Sequence, residues 1–110
     1  MQRTHIVQVA ADNTDVFNNN LGELAPTWAR RARIQVVASD TDWLFSCRVN
    51  DIEYARDCGP HATYGDNTQV IDWGLAHIVC PVKAGSENDV LVDVNVVTAG
   101  VGLVAIQYES

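Results

Sequence analysis

Apolar and polar residues alternate along much of this chain with a period of two. Trp43, Phe45, Cys47 and Val49 fall on one face of an extended segment, and Leu44, Ser46 and Arg48 on the other. Val90, Val92, Val94 and Val96 alternate in the same way with Leu91, Asp93, Asn95 and Val97, and Val104, Ile106 and Tyr108 share a face near the end. Successive side chains of a strand point to opposite faces of its sheet, so this pattern predicts strands with one face buried. Residues 4–10 read as a first strand. Residues 28–39 read as a second, with Ile34, Val36 and Ala38 on one face and Arg33, Gln35 and Val37 on the other. Residues 69–82 read as another, with Gly74 as a bulge or bend. The best helix candidate, 14–24, is weakened by Asn18, Asn19, Asn20 and Gly22.

Turn residues fall between these segments. Ser39, Asp40, Thr41 and Asp42 form one cluster, and residues 57–67 read as a loop carrying Gly59, Pro60 and Gly65. Asn50 and Asp51 interrupt an otherwise continuous alternation. Both residue types tolerate the positive φ that a two-residue type I′ turn needs at its two central positions. A hairpin tip there sets Val49 opposite Ile52, Arg48 opposite Glu53, Cys47 opposite Tyr54 and Phe45 opposite Arg56. A second hairpin, closing around Gly100, would set Val96 opposite Val104, Val94 opposite Ile106 and Val92 opposite Tyr108, with all six pointing to one core.

Seven or eight short strands with frequent turns predict an all-β chain. The expectation is a single antiparallel β-sandwich over residues 1–110, with 1–27 holding an N-terminal strand and a loop-rich segment. A jelly roll is the expected topology and an immunoglobulin-like order the alternative. Cys47 and Cys80 are spaced like an immunoglobulin pair, but Trp73 lies close to the second cysteine.

Charge narrows the partners. Fourteen acidic residues against seven basic give a net charge of −7, which argues against nucleic acid as a main partner. The opening MQRTHIVQVAAD lacks the apolar core of a signal peptide, and no apolar run reaches the length of a membrane span. Synthesis in a cytoplasm without membrane association is expected. Three cysteines with no C-x-x-C pair fit neither a disulfide framework nor a zinc site.

Candidate chemistry is sparse. Cys58 and His61 have a ligand-like spacing but no second pair, and structural zinc takes four ligands. Asp40 and Asp42 could offer oxygens to calcium, against the simpler reading of a solvated turn. Cys47 or Cys80 could pair with His77, although residue type is all that suggests it. Asp51 and Glu53 alternate along a strand leaving a turn and do not read as catalytic acids. No phosphate-binding or hydrolase motif occurs. The expectation is no enzyme, no catalytic residue, no metal and no cofactor. Large aromatic or apolar side chains set against polar neighbours mark interaction surfaces instead. Trp28, Trp73, Leu91 and Val97 are the candidates for an oligomer or partner interface, and Leu44 and Val37 share their outward placement. Trp28, Tyr64 and Trp73 could alternatively stack on a sugar ring.

The W-L-F-S-C-R-V-N-D-I-E-Y hairpin and the V-L-V-D-V-N-V-V-T-A-G-V-G-L-V-A-I-Q-Y-E ending, within residues 33–110, resemble the small β-sandwich structural proteins of tailed bacteriophages and related viruses. The resemblance implies a decoration, vertex or minor capsid protein. Such a protein would be made in the host cytoplasm, reside in the virion, and bind copies of itself, as a trimer or pentamer, and the major capsid protein or other virion proteins. The alternative function is a carbohydrate-binding module.

Overall fold

The alternating segments are strands. A computed structural model describes residues 2–17, 27–65, 68–83 and 88–110 and contains eight of them. In chain order they are β1 (Gln2–Val9), β2 (Arg31–Ala38), β3 (Leu44–Val49), β4 (Ile52–Cys58), β5 (Ala62–Thr63), β6 (Ile78–Pro81), β7 (Val90–Asn95) and β8 (Gly102–Glu109). They form two sheets, and the chain is all-β. One sheet runs β1-β8-β2, with β6 and β5 sharing the other side of β2; the other runs β4-β3-β7. All pairings are antiparallel except the short parallel one between β2 and β5. The expected helix over 14–24 and the Asn18–Asn20 turn lie outside the described residues from residue 18 onward.

The inward faces match the alternation. Ile34, Val36, Trp43, Phe45, Cys47, Val92, Val94, Val104, Ile106 and Tyr108 share one buried cluster, with Val96 packed against it. The pairing expected around Gly100 is wrong, however. β7 pairs with β3 and β8 pairs with β1 and β2, so the two strands lie in different sheets. Their valines and Ile106 meet the same core from opposite sides. Alternation reports which face is buried, and it is silent on whether two facing strands are neighbours or opposites.

The Asn50-Asp51 tip is a hairpin turn. Both residues have positive φ, 50° and 66°, and Val49 faces Ile52 while Arg48 faces Glu53. Beyond that the register slips. Cys47 faces Ala55, not Tyr54, and Phe45 faces Cys58, not Arg56. Two bulges on β4 cause the slips; the second carries Asp57 at φ 49°, its N–H bonded to Ser46 Oγ at 3.0 Å. Asn50 also holds the neighbouring connection: its Nδ2 donates to Asn88 Oδ1 at 2.9 Å and its Oδ1 accepts the Asp89 N–H at 2.9 Å. Asn50→Pro forbids positive φ and removes these bonds. It is expected to lower stability by about 3 kcal/mol in chemical unfolding, and an unchanged midpoint would contradict the turn.

The reading of 69–82 as one strand is also corrected. Only Ile78–Pro81 is strand, Gly74 sits in a turn, and 68–77 are otherwise irregular. Part of this segment crosses the outer face of β2. The buried Gln35 anchors it: Nε2 donates to the Asp72 and Ala76 carbonyls at 2.8 and 2.9 Å, and Oε1 accepts the Asp72 N–H at 2.9 Å. Gln35 and Val37 are both buried, against the expected outward exposure of Val37.

Trp43 plugs the end of the sandwich. It is buried, and its Nε1 donates to the Thr98 carbonyl at 2.9 Å. Gly102 lies against its ring. A Cβ at Gly102 would fall 2.3 Å from Trp43 Cζ3 and 3.0 Å from two further ring atoms. Glycine is required here for space.

Candidate functional site

The residues singled out from the sequence do not converge. Trp28 sits in a turn before β2, half-buried, with the Arg3 guanidinium 5.9 Å from its ring centroid. One face of that ring is thus occupied by a cation. Trp73 is half-buried on the segment over β2 and meets the His77 ring edge-on at 5.5 Å. Leu91 lines a shallow depression on the outer face of the second sheet, with Ser46, Arg48, Glu53, Ala55 and Asp93. Val97 is 66% exposed between β7 and β8, in a notch with Ala10, Ala11, Val96 and Ala99. Trp28 and Val97 stand near opposite ends of β1, about 25 Å apart by strand rise. Tyr64 is half-buried beside β5, its N–H on the Ala38 carbonyl at 3.1 Å.

The candidate reactive groups are engaged locally. Burial pushes the Cys47 thiol up to about 12, helped by Cys80, and the Cys80 thiol up to about 11. Both remain protonated near neutral pH and are poor nucleophiles. Cys58 is exposed, its Sγ directed at the Arg56 carbonyl. Asp40 Oδ1 accepts the Asp42 N–H at 3.2 Å, and Asp42 accepts the Thr98 hydroxyl. Among the described residues no three His, Cys, Asp or Glu side chains cluster to hold a metal ion. Asp12, Asp57 and Asp93 line one groove, but Asp12 already accepts the Val96 N–H and Asp93 the Asp15 N–H.

His61 fastens the β5 region to β2. Its N–H donates to the Val36 carbonyl at 2.7 Å, the Val36 N–H donates to its Nδ1 at 3.0 Å, and its ring lies 5.1 Å from Phe45. Burial, then the nearby His77, lower its pKa below the ordinary value. The N–H aimed at Nδ1 also suits the neutral ring. A base with a lowered folded pKa gives stability that is complete above the unfolded value and is lost as pH falls through the folded one. Melting temperature should therefore begin to drop as pH falls through the ordinary histidine range, about 6.5, and His61→Gln should flatten that drop. A separate loss lies further down, where protonation breaks the Glu109 pairing with Arg31 that holds this carboxyl below its usual range.

The strand edges differ sharply, and periodicity did not disclose this. β4 is broken by its two bulges. β7 is covered where Asn13 exchanges two backbone bonds with Val94, at 2.9 and 2.8 Å. β5 has two residues, and β6 has four and ends in Pro81. β1 is eight residues long and pairs with β8 in unbroken register from Gln2↔Glu109 to Val9↔Gly102. No strand lies along its other edge among the described residues. Ile6, at its middle, is 51% exposed.

Comparison with protein-family models, with curated proteins and with solved structures finds no match to this chain.

Proposed function

We propose that the chain is a non-enzymatic structural subunit of a virus particle, assembling with copies of itself on or in a capsid. The observation that carries this is the apolar surface. Ile6, Ile52, Val70, Leu75, Val79 and Val97 each stand 43–66% exposed on a small acidic domain. Side chains of this kind are covered when subunits meet.

The same reading takes the sandwich as a jelly roll. In a jelly roll of eight strands, one sheet runs first, eighth, third, sixth and the other second, seventh, fourth, fifth. The order β1-β8-β2-β6 supports this if the segment bridged at Asn13 stands for a reduced second strand beside β7, followed by β3 and β4. Jelly rolls serve in viral capsids and in lectins alike, so topology leaves the choice to the surface. The cation over Trp28 favours assembly over sugar stacking there.

The test is mass spectrometry of purified virions from the source, with light scattering of the pure protein at micromolar concentration. Presence in the particle and a mass above the monomer are expected. A strict monomer that binds neither itself nor capsid particles would reject the proposal, and binding on a glycan array would establish the alternative.

A further inference from the structure

We infer that β1 is the edge through which two copies of this chain join, pairing antiparallel about a two-fold axis that passes through Ile6. The inference deepens the assembly reading above and rests on it. A sheet edge is a row of backbone donors and acceptors that can template another strand, and proteins blunt such edges with bulges, prolines, short strands or covering segments. Every other edge among the described residues carries one of these devices: the bulges of β4, the Asn13 bridge on β7, the brevity of β5, and the brevity and terminal Pro81 of β6. β1 is long, unbulged and free of proline.

The occupant follows from self-complementarity. Neighbouring residues of a strand turn their N–H and C=O groups to opposite edges, so only every second residue bonds through a given edge. Two copies of one strand can match these residues only if the two-fold axis passes through a residue, not between two. An axis through Ile6 aligns seven residues. Arg3 then faces Val9 of the partner subunit, Thr4 faces Gln8 of the partner subunit, and His5 faces Val7 of the partner subunit. Ile6 faces Ile6 of the partner subunit, which covers an apolar side chain now half-exposed. No charge opposes a like charge, whereas an axis through His5 would set two histidines together. The resulting sheet runs β2-β8-β1 and then the same strands reversed. Such a contact is isologous and closes at two copies, so the smallest assembly is a dimer and not the trimer or pentamer expected from the sequence.

The full chain supplies the test. Sedimentation velocity at micromolar concentration should show a dimer. Ile6→Lys, which opposes two ammonium groups, should weaken it at least about tenfold with an unchanged circular dichroism spectrum. In a Cys58→Ser background, Ile6→Cys should be linked to itself by a short bis-maleimide, while Gln8→Cys alone should not. A wild-type oligomer left intact by Ile6→Lys, or one in which Gln8→Cys links and Ile6→Cys does not, would overturn the β1 edge and leave the assembly reading standing. A wild-type monomer that still joins capsid particles would overturn the dimer alone, and one that binds nothing would overturn both.

Discussion

Gly102→Ala should destabilise the protein by about 3 kcal/mol, at the top of the range for an overpacked core. The added methyl would lie 2.3 Å from Trp43 Cζ3, far inside van der Waals contact. Neither side yields easily. The indole is buried and tied through Nε1 to the Thr98 carbonyl, and Gly102 is paired to both Val9 and Ala38 in the middle of a sheet. Urea unfolding would measure the loss, and the melting temperature should fall by about 10 °C or more. A double-mutant cycle isolates the cause. Trp43→Phe shortens the ring system, so it should recover part of the Gly102→Ala loss, although alone it is harmful. Additive effects would place the strain elsewhere.

Gln35→Leu should cost about 2–3 kcal/mol, and its effect should be local first. The substitution keeps side-chain bulk but leaves the Asp72 N–H and the Asp72 and Ala76 carbonyls without their partner. Unsatisfied buried groups cost about 1–3 kcal/mol each, so the segment is expected to lift and hydrate them at the expense of the apolar contact beneath. Hydrogen exchange should then show loss of protection around 72–76 before the β2–β8 ladder opens. Protection unchanged at those amides would mean that Gln35 is not the anchor.

These two residues also mark where the sequence was legible. Gln35 looked like an ordinary outward polar position, because its partners lie about forty residues away in a segment that resembles a strand. Trp43 was readable as core from its own alternation, but the space it needs at Gly102 was not. The Asn50-Asp51 turn was legible because its determinants are local. The inner faces of β3, β7 and β8 were legible for the same reason. What failed was non-local: the two-sheet separation of β7 from β8, the bulges at Tyr54 and Asp57, and the burial of Val37. Of the candidate interface, only Leu91 and Val97 could be placed by periodicity, and they proved to lie apart. β1 stood out only once the other edges had been compared, a property of the assembled sheet that no window of sequence contains.

The central place of β8 bears on how the protein is made. β8 is the last strand, yet it lies between β1 and β2, and without it these two have no contact through the sheet. While the ribosome is still translating residues 102–109, β1 has no partner strand among the described residues, and β2 lacks the strand that pairs along its whole length. The β3–β4 hairpin, joined later by β7, and the short β2–β5 and β2–β6 pairings can form before β8. Completion of the first sheet must then wait for β8 to leave the ribosome, and until then the nascent chain carries β1 without the strand it pairs with. Expression should therefore be sensitive to chaperone supply and to translation speed through residues 102–109, and truncation before Gly102 should yield aggregate.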